Sequence, residues 1–141
     1  MQNYKEKILA MANEACKNTL METLNIEVID CGEDFIVARM PVNSRVHQPD
    51  GVLHGGATVA LAETVGSFAS LIFNKQKDVF VRGIEITGNH LKGVREGFVY
   101  AKAKALHNGR TTQLWDIKIT DDNDVLVSVC KLTTIALPKK Q

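Results

Sequence analysis

One stretch of the sequence, residues 51–74, is uncharged except for a single carboxylate at Glu63. From about residue 55 onward, its apolar and small side chains fall on every side of a helical projection, which is typical of a helix enclosed by protein. These side chains belong to Ala57, Val59, Ala60, Leu61, Ala62, Val65, Phe68, Ala69, Leu71, Ile72 and Phe73. The stretch constrains the fold strongly, because the remaining chain must surround this helix.

Glu63 is expected to lie inside that enclosure. Ionising a lone carboxyl group among apolar side chains is disfavoured, so such a group is paired, hydrogen-bonded, or used as a general base or nucleophile. The structural alternative is a carboxylate that bonds a local hydroxyl, since Thr64 lies nearby and Ser67 is the i+4 neighbour. The helix alone leaves both interpretations open.

Length, composition and charge limit the class of protein. The 141 residues are 45% hydrophobic, which suits one domain over residues 1–141 with its own core. The net charge is +1, from 17 Lys and Arg against 16 Asp and Glu, and these residues form no basic stripe. We therefore expect neither nucleic acid nor a membrane surface as a partner.

The cysteines and the N-terminus predict a cytoplasmic protein. Cys16, Cys31 and Cys130 are odd in number and form no Cys-x-x-Cys pair, which is typical of reduced thiols. The N-terminal residues mix both charge signs with no apolar run behind them, unlike a signal peptide. Glu63 also divides the best candidate for a membrane-spanning segment, which needs about 20 apolar residues.

The sequence also argues against two kinds of catalytic site. The four histidines show no metal-ligand spacing and the cysteines add none, so we expect neither a metal nor a redox cofactor. No Gly-x-Ser-x-Gly motif is present, and Ser67 lacks the strand-turn-helix context of a serine nucleophile. The remaining candidate chemistry therefore centres on Glu63.

The segments around the long helix are mostly β-rich. Helical spacing predicts an amphipathic helix over the first twenty residues, and alternation or β-rich composition predicts six strands. The strands are expected at residues 26–31, 35–42, 79–91, 97–106, 111–120 and 125–137. The first two form a hairpin, and Asn108-Gly109 and other turn signals between the last four predict an antiparallel meander.

Six strands with one long helix and no βαβ alternation indicate an α+β fold. The sheet is expected to curl around the helix, which carries enough glycine and alanine for strands to approach closely.

The start of the long helix is expected to leave N–H groups free. Residues 51–57 include no Ser, Thr, Asp or Asn to cap it. The first donors, unobstructed at Gly55 and Gly56 and aligned with the helix dipole, suit an anion or a developing oxyanion. The alternative is a glycine turn whose donors meet water.

Gly55 and Glu63 together supply what hydrolysis of an ester or thioester needs, namely a donor for the carbonyl oxygen and a carboxylate near its carbon. They lie eight residues apart, roughly 12 Å along one helix. One helix can hardly hold both groups against the same carbonyl. Two antiparallel copies related by a two-fold axis can do so, which predicts a homodimer with shared sites.

The motif Gln48-Pro49-x-Gly51-x-x-His54-Gly55-Gly56-Ala57, followed by Glu63, resembles the hotdog-fold acyl-CoA thioesterases. The likeness is to the branch that contains phenylacetate-pathway, hydroxybenzoyl-CoA and dihydroxynaphthoyl-CoA hydrolases. It spans nearly the whole chain, because several later segments also look like that branch. They are Gly83-Ile84-Glu85-Ile86, Asn89-His90, Arg95-Glu96-Gly97, Leu106-His107, Gln113-x-Trp115 and Leu132-Thr133-Thr134.

The resemblance implies a hotdog fold and a role for each matching residue. Glu63 acts as nucleophile or general base, the Gly55 N–H binds the thioester oxygen, and Gln48 and His54 orient the carbonyl or the attacking water. Further positions hold the acyl-CoA substrate, with Lys92 and Arg110 available to its phosphates. They are Ser67, Gly83, His90, Leu91, Lys92, Gly93, His107, Asn108, Gly109, Arg110, Thr111 and Thr112.

Other functions remain open at this point. A lone Lys or Arg at a turn is usually only solvated. A hydroxyacyl dehydratase or hydratase uses the same fold, although His54-Gly55-Gly56 leading straight into the helix favours hydrolysis. A non-catalytic acyl-CoA-binding module is the second alternative. The acyl group is not identified, because the candidate lining residues are equally suited to the core; these are Leu53, Val59, Leu61, Phe68, Phe73 and Phe80. Dimers can also pair into tetramers.

Overall fold

A six-stranded antiparallel sheet packs around one long helix in the computed structural model, which describes residues 2–139. The helices are α1 (Gln2–Ala15), α2 (Leu20–Thr23) and α3 (Gly55–Phe73), with a short 3-10 turn at Ser44–Val46. The strands are β1 (Glu27–Cys31), β2 (Phe35–Pro41), β3 (Val79–His90), β4 (Phe98–Asn108), β5 (Thr112–Thr120) and β6 (Leu126–Pro138). The predicted α+β class and all six strands are confirmed.

The strand order is β1-β2-β4-β5-β6-β3, which corrects part of the predicted meander. The hairpin β1–β2 and the meander β4–β5–β6 are present as expected. Strand β3, however, pairs with β6 at the far edge, where His90 opposes Ser128. The segment between β3 and β4 is longer than a hairpin turn, and it carries the chain past the two intervening strands.

Helix α3 packs apolar residues and a glycine against the sheet. Leu61, Ala62, Val65 and Ala69 are fully buried. A Cβ at Gly66 would lie 2.6 Å from a Leu132 methyl, so this glycine allows the sheet to approach closely. The sheet therefore holds α3 in a fixed position.

Helix α3 is not enclosed on every side within one chain, contrary to the expectation. Leu71 is 53% exposed, and Glu63 and Ser67 are only half-buried. The sheet contacts one side of the helix, and the short α2 contributes residues beside only part of the other. An apolar face of α3 thus remains open.

Helix α3 is also the one helix in the described residues that is long and apolar enough to cross a bilayer. A helix in the core of a soluble protein can have the same length and apolar composition. Because α3 contacts five strands of the sheet, we identify it as the core helix of this fold.

The N-terminal helix is shorter than predicted. It ends at Ala15, and Asn18 adopts a left-handed conformation (φ 59°) before α2 begins. Ile8 and Ala12 on this helix are buried, whereas Tyr4 and Met11 are exposed. The Asn13 side chain bonds both backbone groups of Val28 at 2.8 and 2.9 Å, which anchors α1 to β1.

Candidate active site

Helix α3 runs antiparallel to the edge strand β3 and meets it through glycines. A Cβ on Gly55 would lie 2.9 Å from His90 Nε2, and one on Gly83 would lie 2.7 Å from Glu63 Oε2. The helix therefore packs closely against the strand at two places, Gly55 against His90 and Glu63 against Gly83. The sheet edge therefore lies beside both residues that the sequence singled out, Gly55 and Glu63.

The start of α3 is capped, which corrects the expectation of an uncapped helix. The Gly56 N–H donates to Nδ1 of His54 at 2.8 Å, and the Thr58 N–H donates to the His54 carbonyl at 3.1 Å. An imidazole nitrogen thus replaces the usual Ser or Asp oxygen. Within residues 2–139 the Gly55 N–H has no hydrogen-bond partner, so one donor stays free at the positive end of the helix.

A cavity of about 280 Å³ opens in front of this helix start. We call it the N-terminal pocket. It brings together six of the residues predicted for the site: Gln48, Gly55, His90, Leu91, Lys92 and Gly93. The His90 ring is held by a 2.8 Å hydrogen bond between Nδ1 and Oγ of the buried Ser128. Gln48 Nε2 donates to Asp50 Oδ1 at 2.9 Å, which ties the loop before the helix.

Lys92 lines this pocket with its charge already paired. Its ammonium contacts Asp121, a nearly buried carboxylate that also accepts hydrogen bonds from the Asn123 and Val125 N–H groups. The bond from Lys92, followed by that from Val125, holds the pKa of Asp121 below its usual value. A phosphate bound by Lys92 would therefore share the ammonium group with this carboxylate or displace it.

Glu63 lies in a second cavity, of about 500 Å³, which we call the Glu63 groove. Its lining is mostly apolar, and Thr64 and Ser67 are the polar neighbours of Glu63. The lining residues are Leu20, Met21, Ala60, Glu63, Thr64, Ser67, Phe68 and Leu71.

The Glu63 carboxylate has neither a hydrogen-bond nor an ion-pair partner among residues 2–139. The Thr64 hydroxyl, which the structural alternative offered as a partner, donates to the Ala60 carbonyl at 2.7 Å instead. The carboxylate rests over Gly83, next to the irregularity in the β3–β6 pairing between Gly83 and Glu85. The arrangement leaves both carboxylate oxygens available for chemistry.

No residue lines both cavities in the described chain, so Gly55 and Glu63 belong to different cavities of one protomer. This separation matches the distance argument from the sequence.

The predicted candidates for an acyl pocket are dispersed in the structure. Leu61 is fully buried in the core, Leu53 lines the N-terminal pocket, and of the six candidates only Phe68 lines the Glu63 groove.

The predicted coenzyme A hairpin connects β4 and β5 at the C-terminal end of α3. Asn108 Nδ2 donates to the carbonyl of Phe73, the last residue of α3, at 3.0 Å. Gly109 closes the turn by donating to the Thr112 carbonyl at 2.9 Å. His107, Arg110, Thr111 and Thr112 are exposed there, far along the helix from the N-terminal pocket.

Several residues that line the two cavities were not foreseen from the sequence, among them Ser128, Leu20 and Met21. Ser128 sits inside a strand between valines, and a buried serine in that position is a usable signal for a polar contact. Leu20 and Met21 reach the Glu63 groove because α2 folds back beside α3. Helix α2 has only four residues, too few for a periodic pattern that would predict its position beside α3.

The thiols are poorly placed for nucleophilic chemistry. Cys16, Cys31 and Cys130 are free and buried. Burial raises the pKa of the Cys130 thiol to about 11, which keeps it protonated at neutral pH. Within residues 2–139 no group of three or more His, Cys, Asp or Glu side chains is arranged to hold a metal ion.

The model of the thioesterase superfamily matches residues 50–128, which include Gly55, Glu63, Gly83 and the hairpin. The chain belongs to the thioesterase superfamily. It is 40% identical to 1,4-dihydroxy-2-naphthoyl-CoA hydrolase of Escherichia coli K12, with 95% of this chain and 98% of the relative covered. It is also 40% identical to the proofreading thioesterase EntH of Cronobacter turicensis, with 92% of this chain and 93% of the relative covered.

Solved structures agree with this family. A thioesterase from Pseudomonas aeruginosa superposes with a TM-score of 0.90 at 40% identity, covering 93% of this chain and 94% of the other. The hotdog fold and the enzyme class, thioester hydrolase, are therefore confirmed for this thioesterase.

Proposed function

We propose that this thioesterase hydrolyses an acyl-CoA to the free acid and coenzyme A, with Glu63 as the catalytic carboxylate. The observation that carries the proposal is the unpaired Glu63 carboxylate over Gly83 in an apolar groove. The names of relatives that act on a CoA thioester support the choice of leaving group. Coenzyme A belongs to the substrate, and the reaction requires no other cofactor.

The chemistry follows from a free donor and a free carboxylate. The Gly55 N–H stabilises the oxyanion that forms on the thioester oxygen. Glu63 either takes a proton from water as the water oxygen bonds to the carbonyl carbon, or bonds to that carbon itself and forms an anhydride that water then hydrolyses. In both routes the C–S bond breaks, and the sulfur leaves as a thiolate that takes up a proton.

The active site is shared between two protomers in this proposal. An antiparallel pair of α3 helices places Gly55 of one protomer opposite Glu63 of the partner subunit. Two features of one chain support this pairing. Strand β3 is a twelve-residue edge strand with Ile84 58% exposed, and such edges readily pair with another chain. The apolar face of α3 around Leu71 is also only partly covered by residues 2–139.

The substrate parts are assigned by the chemistry of each cavity. The acyl group occupies the Glu63 groove, whose volume of about 500 Å³ falls within the usual range for small-molecule sites, roughly 300–1,000 Å³. Phe68 and Met21 provide its apolar walls, and Ser67 lies beside the carbonyl. Gln48 and His54 orient the carbonyl or the water from the opposite protomer.

Coenzyme A extends from there over Gly83 and the β4–β5 turn of one protomer and over the segment from His90 to Gly93 of its partner. Arg110 makes no ion pair within the described residues, so its guanidinium is free for a phosphate.

A panel of acyl-CoA substrates tests this function. Aryl and medium-chain acyl-CoAs are incubated with the purified protein, and released thiol is measured against a parallel assay for water loss from a hydroxyacyl-CoA. The proposal predicts thiol release from at least one class, with no dehydration. Dehydration without thiol release would identify a dehydratase, and saturable binding without turnover would identify a binding module.

Gly83→Ala is expected to lower kcat by about 10- to 100-fold, because a small displacement of a catalytic group is costly. The added Cβ would meet Glu63 Oε2 at 2.7 Å and push the carboxylate away from its position. Gly88→Ala is the matched control on the same strand, since its Cβ would meet a Val59 methyl at 3.3 Å and both Cys130 Sγ and His90 Cε1 at 3.5 Å, and none of these nearest atoms belongs to Glu63. Equal effects of the two substitutions on kcat would contradict the placement of Glu63.

A further inference from the structure

Three fully buried polar side chains form one hydrogen-bonded chain between α3 and the β4–β5 turn. Ser70 Oγ accepts from Trp115 Nε1 and lies next to Thr134 Oγ1, both at 2.6 Å. Thr134 Oγ1 donates to Gln113 Oε1 at 2.8 Å, and Gln113 Nε2 donates to the Gly109 carbonyl at 3.0 Å. The chain therefore ends on the backbone of the turn.

Such a network is costly to bury and gains little over an apolar core, but it specifies one arrangement. The Gly109 carbonyl fixes the orientation of the Gln113 amide, since a carbonyl only accepts and therefore requires Nε2, which leaves Oε1 to accept from the Thr134 hydroxyl. The Ser70 end is attached to the core helix. These buried side chains therefore fix the position of the turn relative to the sheet and to α3.

The strand register places this network between Glu63 and the turn. Gly83 opposes Thr134, Thr134 opposes Gln113, and Gln113 opposes Asn108, in one row across four strands. At roughly 4.8 Å between neighbouring strands, the turn lies about 10–15 Å from Gly83. A substrate whose carbonyl carbon lies at Glu63 can extend along this row toward the exposed Arg110.

We propose that Gln113 is a positioning residue for the nucleotide half of coenzyme A. It does not touch the substrate. It holds the Gly109 carbonyl, and with it the turn that presents Arg110 and Thr111, in the geometry that binds. This inference rests on the proposed function, because it assigns the nucleotide to the β4–β5 turn. Preorganisation of a binding loop raises affinity by removing the entropy cost of ordering it.

The test compares an acyl-CoA with the matching acyl-N-acetylcysteamine thioester, which lacks the nucleotide. Gln113→Leu is expected to raise KM for the acyl-CoA about tenfold and to leave kcat within about twofold. KM for the truncated thioester is expected to stay unchanged. Titration with coenzyme A itself should show the same tenfold loss of affinity. A purely structural defect would not distinguish the two substrates.

Two further variants complete the design. Ile119→Val trims a buried side chain on the same strand, distant from the turn, and should change neither KM. Gln113→Met with Thr134→Val replaces both partners by apolar groups, so the core stays packed if the single variant fails to fold. A KM that rises equally for both substrates, or for neither, overturns the proposal. If the parent protein hydrolyses no acyl-CoA, the proposed function fails and the inference fails with it.

Discussion

Glu63→Gln is expected to lower kcat for acyl-CoA hydrolysis by about 10²- to 10⁴-fold, the usual contribution of a general base. Glutamine keeps the shape of the side chain over Gly83 but can neither accept a proton from water nor attack the carbonyl carbon. KM should change little, because the groove walls and the turn are untouched. Initial rates of thiol release over a range of substrate concentrations give both constants.

Glu33→Gln is the matched control for this loss of charge. Glu33 is exposed in the β1–β2 turn and lines neither the N-terminal pocket nor the Glu63 groove. We expect it to retain the parent kcat. Glu63→Ala should behave like Glu63→Gln, and near-parent rates in both would show that Glu63 has no catalytic role.

The two routes for Glu63 differ in where oxygen from water first appears. Single-turnover hydrolysis in ¹⁸O-labelled water places the label in the Glu63 carboxylate only if an anhydride forms. The general-base route places the label in the free acid alone. Mass spectrometry of the peptide that contains Glu63 detects the label when water attacks the Glu63 carbonyl of the anhydride, and label found there excludes the general-base route.

Gly55→Val is expected to lower kcat/KM by about 10²-fold or more, in line with the loss of one oxyanion donor. Its Cβ would meet the His90 ring at 2.9–3.0 Å, and the added methyl groups would obstruct the free N–H. The backbone position tolerates the change, because a first-turn residue of a helix needs no positive φ and Gly55 has none.

Folding must be checked for this variant. The thermal midpoint and the circular dichroism spectrum should match those of the parent, since the obstructing side chain points into a pocket. A folded Gly55→Val protein with parental kcat/KM would show that the donor at the start of α3 is not used.

The sequence predicted the elements well because their periodicities are clear. The uncharged run from residue 55 marks α3, and alternation at Val99, Ala101 and Ala103 marks β4. It could not show that β3 pairs with β6, since alternation reports which face of a strand is buried and not which strand lies beside it. The open face of α3 was missed for a related reason. An apolar side chain indicates burial without saying whether its own chain or another provides the cover.

The candidate site was predicted in part. Glu63 stood out as a lone charge, and its distance from Gly55 indicated two protomers. The cap by His54 was missed because a ring nitrogen is an unusual acceptor at that position. Its effect is to leave Gly55 as the free donor while Gly56 is occupied. The ion pair between Lys92 and Asp121 could not be predicted from the sequence either, since the two residues are distant along the chain.

Mixing two inactive variants tests the shared site most directly. Glu63→Gln and Gly55→Val proteins are purified separately, unfolded and refolded together in equal amounts, and assayed with an acyl-CoA. In a hybrid dimer, one site combines both substitutions and the other combines an intact Gly55 with an intact Glu63. Random pairing therefore restores about a quarter of the parental specific activity. No recovery of activity above that of the separate variants, with dimer formation verified, would contradict a site built from two subunits.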